Sequence, residues 1–242
     1  MTVPVRAVTF DYWDTLYAHE PVFDRLVARR TAVHQMLAAV GHEIAEEEFF
    51  EIYRVAHDEA ESWWREGRAY TTDDRIRWML KRLAIERPAD CEHVAKAIRA
   101  IDDALFDHPP ALLPGVGDAL ARLTPSFTLG IISDTGFGSG KAQNRVLERD
   151  QLLGMFAVTI YSMDVGHAKP RREPFDAAVK ALGVPAGEIV HVGDNERTDI
   201  RGALAAGLRA VRVDIARSSG PSVGEFVART HEELADYLLS LR

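Results

Sequence analysis

The segment from Val8 to Leu16 runs from an apolar stretch directly into a carboxylate, Asp11, and Thr15 follows it closely. The ends of strands in parallel α/β sheets are the places where such sheets display reactive groups. An aspartate in this position can act as a nucleophile on phosphorus or carbon, or as a metal ligand. A strand followed by an ordinary polar turn explains this single segment equally well. Its interpretation therefore depends on partners further along the chain.

Three later apolar runs, 127–132, 158–161 and 189–192, are each followed by polar side chains. These side chains are Ser133 and Asp134 after the first run, Lys169 before Pro170 after the second, and Asp194, Asn195 and Asp199 after the third. Each motif alone is weakly specific. Four motifs in order, each beside an apolar run, are strongly specific as a set.

The ordered set of aspartate, serine, lysine-proline and glycine-aspartate with a second aspartate resembles the haloacid dehalogenase-like (HAD) hydrolase superfamily. The resemblance covers nearly the whole chain, and its most specific residues lie in 8–16, 129–136 and 167–207. It implies an α/β fold with a Rossmann-like parallel-sheet core. It also implies that Asp11 is a nucleophile that forms a covalent aspartyl intermediate with a small phosphorylated substrate.

The same resemblance implies roles for other polar residues. Ser133 matches the residue whose hydroxyl and neighbouring N–H hold phosphoryl oxygens, and Lys169 matches the lysine that neutralises nucleophile and substrate. Thr15 matches a threonine that hydrogen-bonds near the nucleophile, and Asp134 and Asn195 are placed on the substrate side. A turn-forming serine and an exposed lysine are the alternative interpretations of Ser133 and Lys169.

A metal site is also implied by the resemblance. Mg²⁺ prefers hard oxygen ligands in an octahedral array. The predicted ligands are Asp11, the backbone carbonyl of Trp13, Asp194 and Asp199. Helix capping is the alternative role for the last two carboxylates. His191 lies inside an apolar strand and is interpreted as a packed core residue rather than a base.

One position departs from the pattern of HAD phosphatases. They carry a second aspartate two residues after the nucleophile, which protonates the leaving oxygen and later activates water. Here that position is Trp13, and Asp14 should point elsewhere because adjacent residues project differently. Loss of a positioned general acid–base costs about 10²–10⁴-fold in rate.

Three interpretations of Trp13 stay open at this stage. A Mg²⁺-dependent phosphatase could use a substrate with a good leaving group, or an acid from elsewhere. A dehalogenase-like hydrolase needs no acid, because halide leaves without a proton, and family dehalogenases carry a bulky aromatic residue at this position. A catalytically weak HAD-fold protein that binds a phosphorylated ligand is the third. The metal-ligand pattern favours the phosphatase.

The composition excludes several classes of protein. The 242 residues are 47% hydrophobic, which suits a packed core, and the formal net charge of −8 without a basic stripe argues against nucleic-acid binding. Cys91 is the only cysteine, so no intrachain disulfide forms. No apolar run reaches the roughly 18 residues of a membrane span, and no secretion signal is recognised. We expect a cytoplasmic protein, either a monomer or a homodimer.

The hydrophobic periodicity changes twice along the chain. Residues from about 20 to 108 carry helical spacing only, whereas strands and helices alternate after 113. This predicts a Rossmann-like core, residues 1–18 and 109–242, interrupted by a four-helix cap domain, residues 19–108. We also predict a helix starting at Thr71 or Thr72, a fourth cap helix capped by Asp90, and a last strand at 210–213 followed by a closing helix at 232–241.

Overall fold

The protein is described by a computed structural model that covers residues 3–19, 22–86, 91–216 and 220–242. Its strands are β1 (Ala7–Phe10), β2 (Thr128–Ser133), β3 (Val158–Tyr161), β4 (Ile189–Gly193), β5 (Arg209–Val213) and β6 (Phe226–Ala228). Its helices are α1 (Phe23–Ala39), α2 (Glu46–Arg65), α3 (Thr72–Arg82), α4 (Glu92–Asp107), α5 (Val116–Leu123), α6 (Gly140–Arg149), α7 (Ser162–Val165), α8 (Arg172–Leu182), α9 (Arg201–Ala205) and α10 (His231–Leu239).

The six strands form one parallel sheet in the order β3-β2-β1-β4-β5-β6. Strand β1 lies between β2 and β4, and all four of its residues are buried. Strands covered on both faces read as continuous apolar runs, which is why β1, β2 and β4 are visible in the sequence. The predicted α/β fold with a parallel sheet is confirmed.

The chain divides into two compact units. The α/β unit comprises Met1–Glu20, Pro110–Asp134 and Leu147–Arg242. The helical unit comprises Pro21–Pro109 and Thr135–Val146. Residues 140–146 of α6 therefore belong to the helical unit, although α6 follows β2 in the chain.

The helical unit has its own hydrophobic core, to which α1, α2, α3 and α4 all contribute. Buried members include Leu37, Phe49, Tyr53, Met79 and Ile101. The aromatic residues of α2 at positions 49 and 53 are therefore core residues of this unit. No helix within the described ranges is long and apolar enough to cross a membrane.

Helix α3 begins with a complete capping box. The Thr71 hydroxyl accepts the Asp74 N–H, and the Asp74 carboxylate accepts the Thr71 N–H at 2.8 Å. This matches the predicted start of the helix. Asp90, predicted to cap α4, lies outside the described residues.

Strand β6 was not predicted. The sequence analysis gave 210–213, which lies in β5, as the last strand of the sheet. The strand has only three residues, of which Ala228 alone is fully buried, so it leaves no apolar run in the sequence. Pairing of Val211 with Phe226 fixes it on β5, and the Phe226 ring stacks on Tyr237 of α10 with centroids 4.2 Å apart. Contacts with β5 and α10 therefore stabilise this strand, and its own three residues do not predict it.

Candidate active site

The pairing of β1 with β4 positions Asp11. Phe10 lies opposite Val192 in the parallel register, and the Asp11 N–H donates to the Val192 carbonyl at 2.8 Å. The hydrogen-bonded pairing thus continues one residue beyond the strand and sets Asp11 beside Gly193. The Asp11 side chain is buried, with the residue only 7% exposed.

Lys169 is the cation of the site. Its Nζ donates to Asp11 Oδ1 and to Asp199 Oδ1, each at 2.6 Å, and to the Ile132 carbonyl at 2.9 Å. An ammonium group has three donors, so this buried lysine is fully satisfied. It joins the ends of β1, β2 and β4 in one hydrogen-bonded cluster.

Burial and charge act in opposite directions on these groups. Burial raises the pKa of Asp11 well above its ordinary value, and the Lys169 ammonium offsets only part of this. Burial alone would lower the pKa of Lys169, but Asp11 and Asp199 together raise it. Burial likewise opposes ionisation of Asp199, yet Lys169 and His191 hold the pKa of this carboxyl well below its ordinary value. The lysine and Asp199 therefore form an ion pair.

Three carboxylates converge at this point. Asp11, Asp194 and Asp199 each offer an oxygen, and these oxygens lie within 4.8 Å of one another. With all three ionised and Lys169 protonated, the cluster carries a formal charge of −2. Hard oxygen donors and a double negative charge fit one divalent cation such as Mg²⁺. The residues present are therefore suited to the predicted metal.

A glycine makes room for Asp199. A Cβ built on Gly193 would overlap the Asp199 side chain, so a larger residue here would displace the carboxylate. Asp199 itself lies in a π-helical turn, Glu196–Ile200, and its Oδ2 accepts the Asn195 N–H at 3.0 Å. π-Helical turns are often found at functional sites.

Asn195 caps this π-helical turn. Its Oδ1 accepts the N–H groups of Arg197 and Thr198, at 3.0 and 3.2 Å. The structure thus gives Asn195 a structural contact within the loop that carries Asp199. Its predicted substrate contact stays a prediction.

Asp134 connects two of the predicted motifs. Its Oδ1 accepts the backbone N–H of Lys169 at 3.1 Å, which ties the end of β2 to the lysine loop. Ser133 is buried, and its hydroxyl lies 3.4 Å from the Asp134 carbonyl, a long contact for an O–H donor. The Ser133 hydroxyl therefore has only a weak partner here.

Thr15 is buried in the turn that follows Asp11. Its Oγ1 has no hydrogen-bond partner among the described residues, whereas its carbonyl faces Nε2 of His231 at 2.9 Å. The other His231 nitrogen, Nδ1, faces the Pro114 carbonyl at 2.7 Å. Sequence analysis missed His231, because a contact across 216 positions leaves no local signal.

Trp13 is partly exposed and packs among aromatic rings. Its ring lies edge-on to Tyr12 and His19, with centroids 4.9 and 5.4 Å apart. Asp14 adopts a positive φ of 54°, and its Oδ1 accepts the His19 N–H at 2.8 Å. The Asp14 carboxylate is thus used to close its own loop.

His191 is fully buried in β4. Its Nδ1 lies 3.0 Å from the Thr9 hydroxyl, and its Nε2 lies 3.5 Å from Asp199 Oδ1. Burial lowers the pKa of His191, which favours the neutral ring. The prediction of a packed core residue agrees with this position, but the sequence did not indicate the contact with Asp199.

Arg212 is a second residue that sequence analysis missed. It is fully buried at the end of β5, where its guanidinium donates to Asp214, to Glu196 at 3.3 Å and to the Pro221 carbonyl at 3.0 Å. Glu196 opens the π-helical turn that carries Asp199. Arg212 therefore holds this turn against the loop before β6.

Comparison with known proteins identifies the family. Residues 5–207 match the haloacid dehalogenase-like hydrolases. The chain is 28% identical to a glyceraldehyde 3-phosphate phosphatase of Methanopyrus kandleri, over 98% of each chain. Among solved structures it is similar to a 2-haloacid dehalogenase of Pseudomonas syringae, with 26% identity, a TM-score of 0.69 and 98% of each chain covered. A HAD phosphatase of Thermococcus onnurineus has 22% identity and a TM-score of 0.68, with 97% of this chain and 98% of that chain covered. This protein belongs to the haloacid dehalogenase-like hydrolase family.

Proposed function

We propose that this hydrolase is a Mg²⁺-dependent phosphatase that acts on a small phosphorylated metabolite through an aspartyl-phosphate at Asp11. The observation that carries the proposal is the Lys169 ammonium held between Asp11 and Asp199, with the Asp194 carboxylate alongside. A cluster of this charge is costly to bury without a use. The similarity to a sugar-phosphate phosphatase over nearly the full length supports a phosphate ester as substrate.

In the proposed reaction, a carboxylate oxygen of Asp11 attacks the phosphorus atom. The P–O bond to the leaving group breaks, and its electron pair leaves on the leaving-group oxygen, which takes up a proton from solvent where that oxygen is basic enough to need one. Water then attacks the phosphorus of the aspartyl-phosphate, releasing inorganic phosphate and restoring the carboxylate. Lys169 offsets negative charge between nucleophile and phosphoryl group, and Ser133 is assigned to bind a phosphoryl oxygen.

The metal would be held by Asp11, Asp194, Asp199 and the Trp13 carbonyl. When bound, Mg²⁺ supplies charge neutralisation and makes the phosphorus more electrophilic. In this proposal the helical insert is the cap that sets substrate choice.

Trp13 constrains the kind of substrate. An indole cannot protonate the leaving oxygen, since its N–H is a donor without acidity in this range. We therefore assign efficient turnover to substrates whose leaving group needs little protonation, such as acyl or aryl phosphates. Alkyl phosphates should be slower by about 10²–10⁴-fold, the usual contribution of a general acid.

The test is turnover of acetyl phosphate and p-nitrophenyl phosphate with Mg²⁺ and with EDTA. Wild type is compared with Asp11→Asn, and Asp118→Asn, an exposed aspartate of α5, is the matched control. We expect metal-dependent turnover that is lost in Asp11→Asn and retained in Asp118→Asn. Turnover that survives Asp11→Asn would refute the nucleophile assignment.

A dehalogenase is the second candidate, and the aromatic Trp13 together with the similarity to a 2-haloacid dehalogenase favours it. This reading requires halide release from 2-chloropropionate in the presence of EDTA, abolished by Asp11→Asn. A binding-only protein would instead show a phosphate-induced rise in melting temperature without product from any of these compounds. Metal-dependent phosphate release excludes the binding-only reading.

A further inference from the structure

Arg75 of α3 is a buried arginine for which the described part of the chain provides no polar partner. The residue is only 3% exposed, and its guanidinium carbon lies 3.7 Å from the centroid of the Phe137 ring and 5.8 Å from that of Tyr53. Its Nε is buried and makes no hydrogen bond to any described residue. A guanidinium carries five N–H donors in a fixed fork, so much of its bonding capacity is unused here.

Two arginines of α1 lie close to the same aromatic rings. The guanidinium of Arg29 lies 5.4 Å from the Phe137 centroid, and that of Arg30 lies 5.6 Å from the Tyr53 centroid. Their Nε atoms are also buried without a partner within the described part of the chain. Both residues are half-buried, so the cluster is reached from solvent on the side of α1.

The acidic residues nearby do not satisfy these donors. Asp102 accepts the Ser139 N–H at 2.8 Å and the Ser139 hydroxyl at 2.6 Å, and no hydrogen bond from these arginines to Asp102 is found among the described residues. The charge of Glu61 raises the pKa of Arg75, but no ion pair between the two is found among the described residues. Stacking on aromatic rings stabilises the cations but provides no hydrogen-bond acceptors in the plane of the guanidinium.

The charges of this cluster also repel one another. Burial, together with the neighbouring cations Arg25 and Arg75, lowers the pKa of Arg29 to about 10. Burial lowers the pKa of Arg75 as well. Such a group of cations is stabilised by an anion that accepts their hydrogen bonds.

We propose that Arg29, Arg30 and Arg75 form a binding site in the helical unit for a compact oxyanion, a carboxylate or a phosphate-like group. Planar guanidinium donors match such oxygens in pairs, and the Phe50, Tyr53 and Phe137 rings lie against the guanidinium groups. The anion is either a second charged group on the phosphoester substrate or a free ion. The first source rests on the proposed function, whereas the site itself does not.

The site is tested by titrating inorganic sulfate into the full-length protein with EDTA present, followed by calorimetry. Arg75→Met and Arg29→Met should each weaken sulfate binding by at least about tenfold, the effect of one charge-assisted hydrogen bond. Arg54→Met is the matched control, since Arg54 is an exposed arginine of α2 in surface ion pairs. Ser133→Ala separately removes binding at the predicted phosphoryl position. Arg29 is only half-buried, so its variant tests the proposal even where Arg75→Met fails to fold.

Wild-type affinity in both Arg29→Met and Arg75→Met, or no sulfate binding by wild type, would overturn the site. The source of the anion follows from a second titration in an Asp11→Asn background, which needs no turnover. 3-Phosphoglycerate carries a carboxylate that glycerol 3-phosphate lacks. If Arg29→Met weakens binding of the first but not the second, the substrate supplies the anion. If Arg29→Met weakens binding of neither, the anion is a free ion, and the proposed phosphatase activity is unaffected by either result.

Discussion

At the scale of single residues, the site depends on one buried positive charge. Lys169 compensates two buried carboxylates and also donates to the Ile132 carbonyl. Removing one partner of a buried ion pair costs about 3–5 kcal/mol, because an uncompensated charge stays behind. We expect Lys169→Met to lower the free energy of unfolding in urea by that amount.

Lys180→Met on the exposed face of α8 is the matched control and should be neutral within about 0.5 kcal/mol. Adding Asp199→Asn to Lys169→Met should recover part of the loss, because it removes one of the two uncompensated carboxylates. A loss below about 1 kcal/mol in Lys169→Met alone would show that the ammonium is not needed to balance the cluster.

A substitution at Gly193 tests the same cluster by changing side-chain volume rather than charge. In Gly193→Ala the new methyl group meets the Asp199 side chain, so the carboxylate must move. We expect a destabilisation of about 1–3 kcal/mol in urea, the usual cost of overpacking. Gly187→Ala has open space around the new methyl group and should change stability little. Equal stability of the two variants would contradict the close approach of Asp199.

At the scale of elements, the capping box of α3 supports the helix that carries Arg75. Thr71→Ala removes the acceptor for the Asp74 N–H and should cost about 1 kcal/mol. Thr71→Ser keeps the hydroxyl and should retain most of the stability. Urea unfolding of both variants gives the comparison, and a Ser variant as unstable as the Ala variant would assign the effect to the lost methyl group.

Elements with strong local signals were the ones that sequence could predict. Helix α3 has a capping residue and an apolar stripe, and α8 ends at Gly183 with a positive φ of 64°, as its glycine predicts. Strand β3 was predicted with its observed bounds because it is a short β-branched run. Strand β6 was missed, since pairing with β5 and stacking on α10 determine it, and neither appears in its own three residues.

The residues of the candidate site likewise divide into those that the sequence predicted and those that it missed. Asp11, Asp194 and Asp199 follow apolar runs that predict strand ends, and the parallel sheet then brings these ends together. The sequence did not indicate that Arg212 fixes the Asp199 turn or that His231 binds the Thr15 carbonyl. Both are contacts of buried polar groups whose partners lie far away in the chain or on another element, so periodicity and spacing carry no trace of them.

At the scale of the whole α/β unit, the His231 ring contacts two segments that lie far from it in the sequence. The ring sits at the start of α10 and reaches the carbonyls of Thr15, after β1, and Pro114, before α5. A neutral imidazole can donate from only one of its nitrogens, whereas an imidazolium can donate to both carbonyls. Geometry therefore favours the charged ring, and burial favours the neutral one.

Burial prevails, and it lowers the pKa of His231 below the ordinary value of 6.5. Below pH 6.5 the unfolded chain then binds a proton that the folded protein does not, so stability falls as the pH decreases. This loss is absent in His231→Gln, which does not titrate. We expect the stability difference between wild type and His231→Gln to shrink from pH 8 to pH 5, by at most about 1.4 kcal/mol per pH unit. A difference that instead grows on acidification would show that the folded protein holds His231 as an imidazolium bonded to both carbonyls.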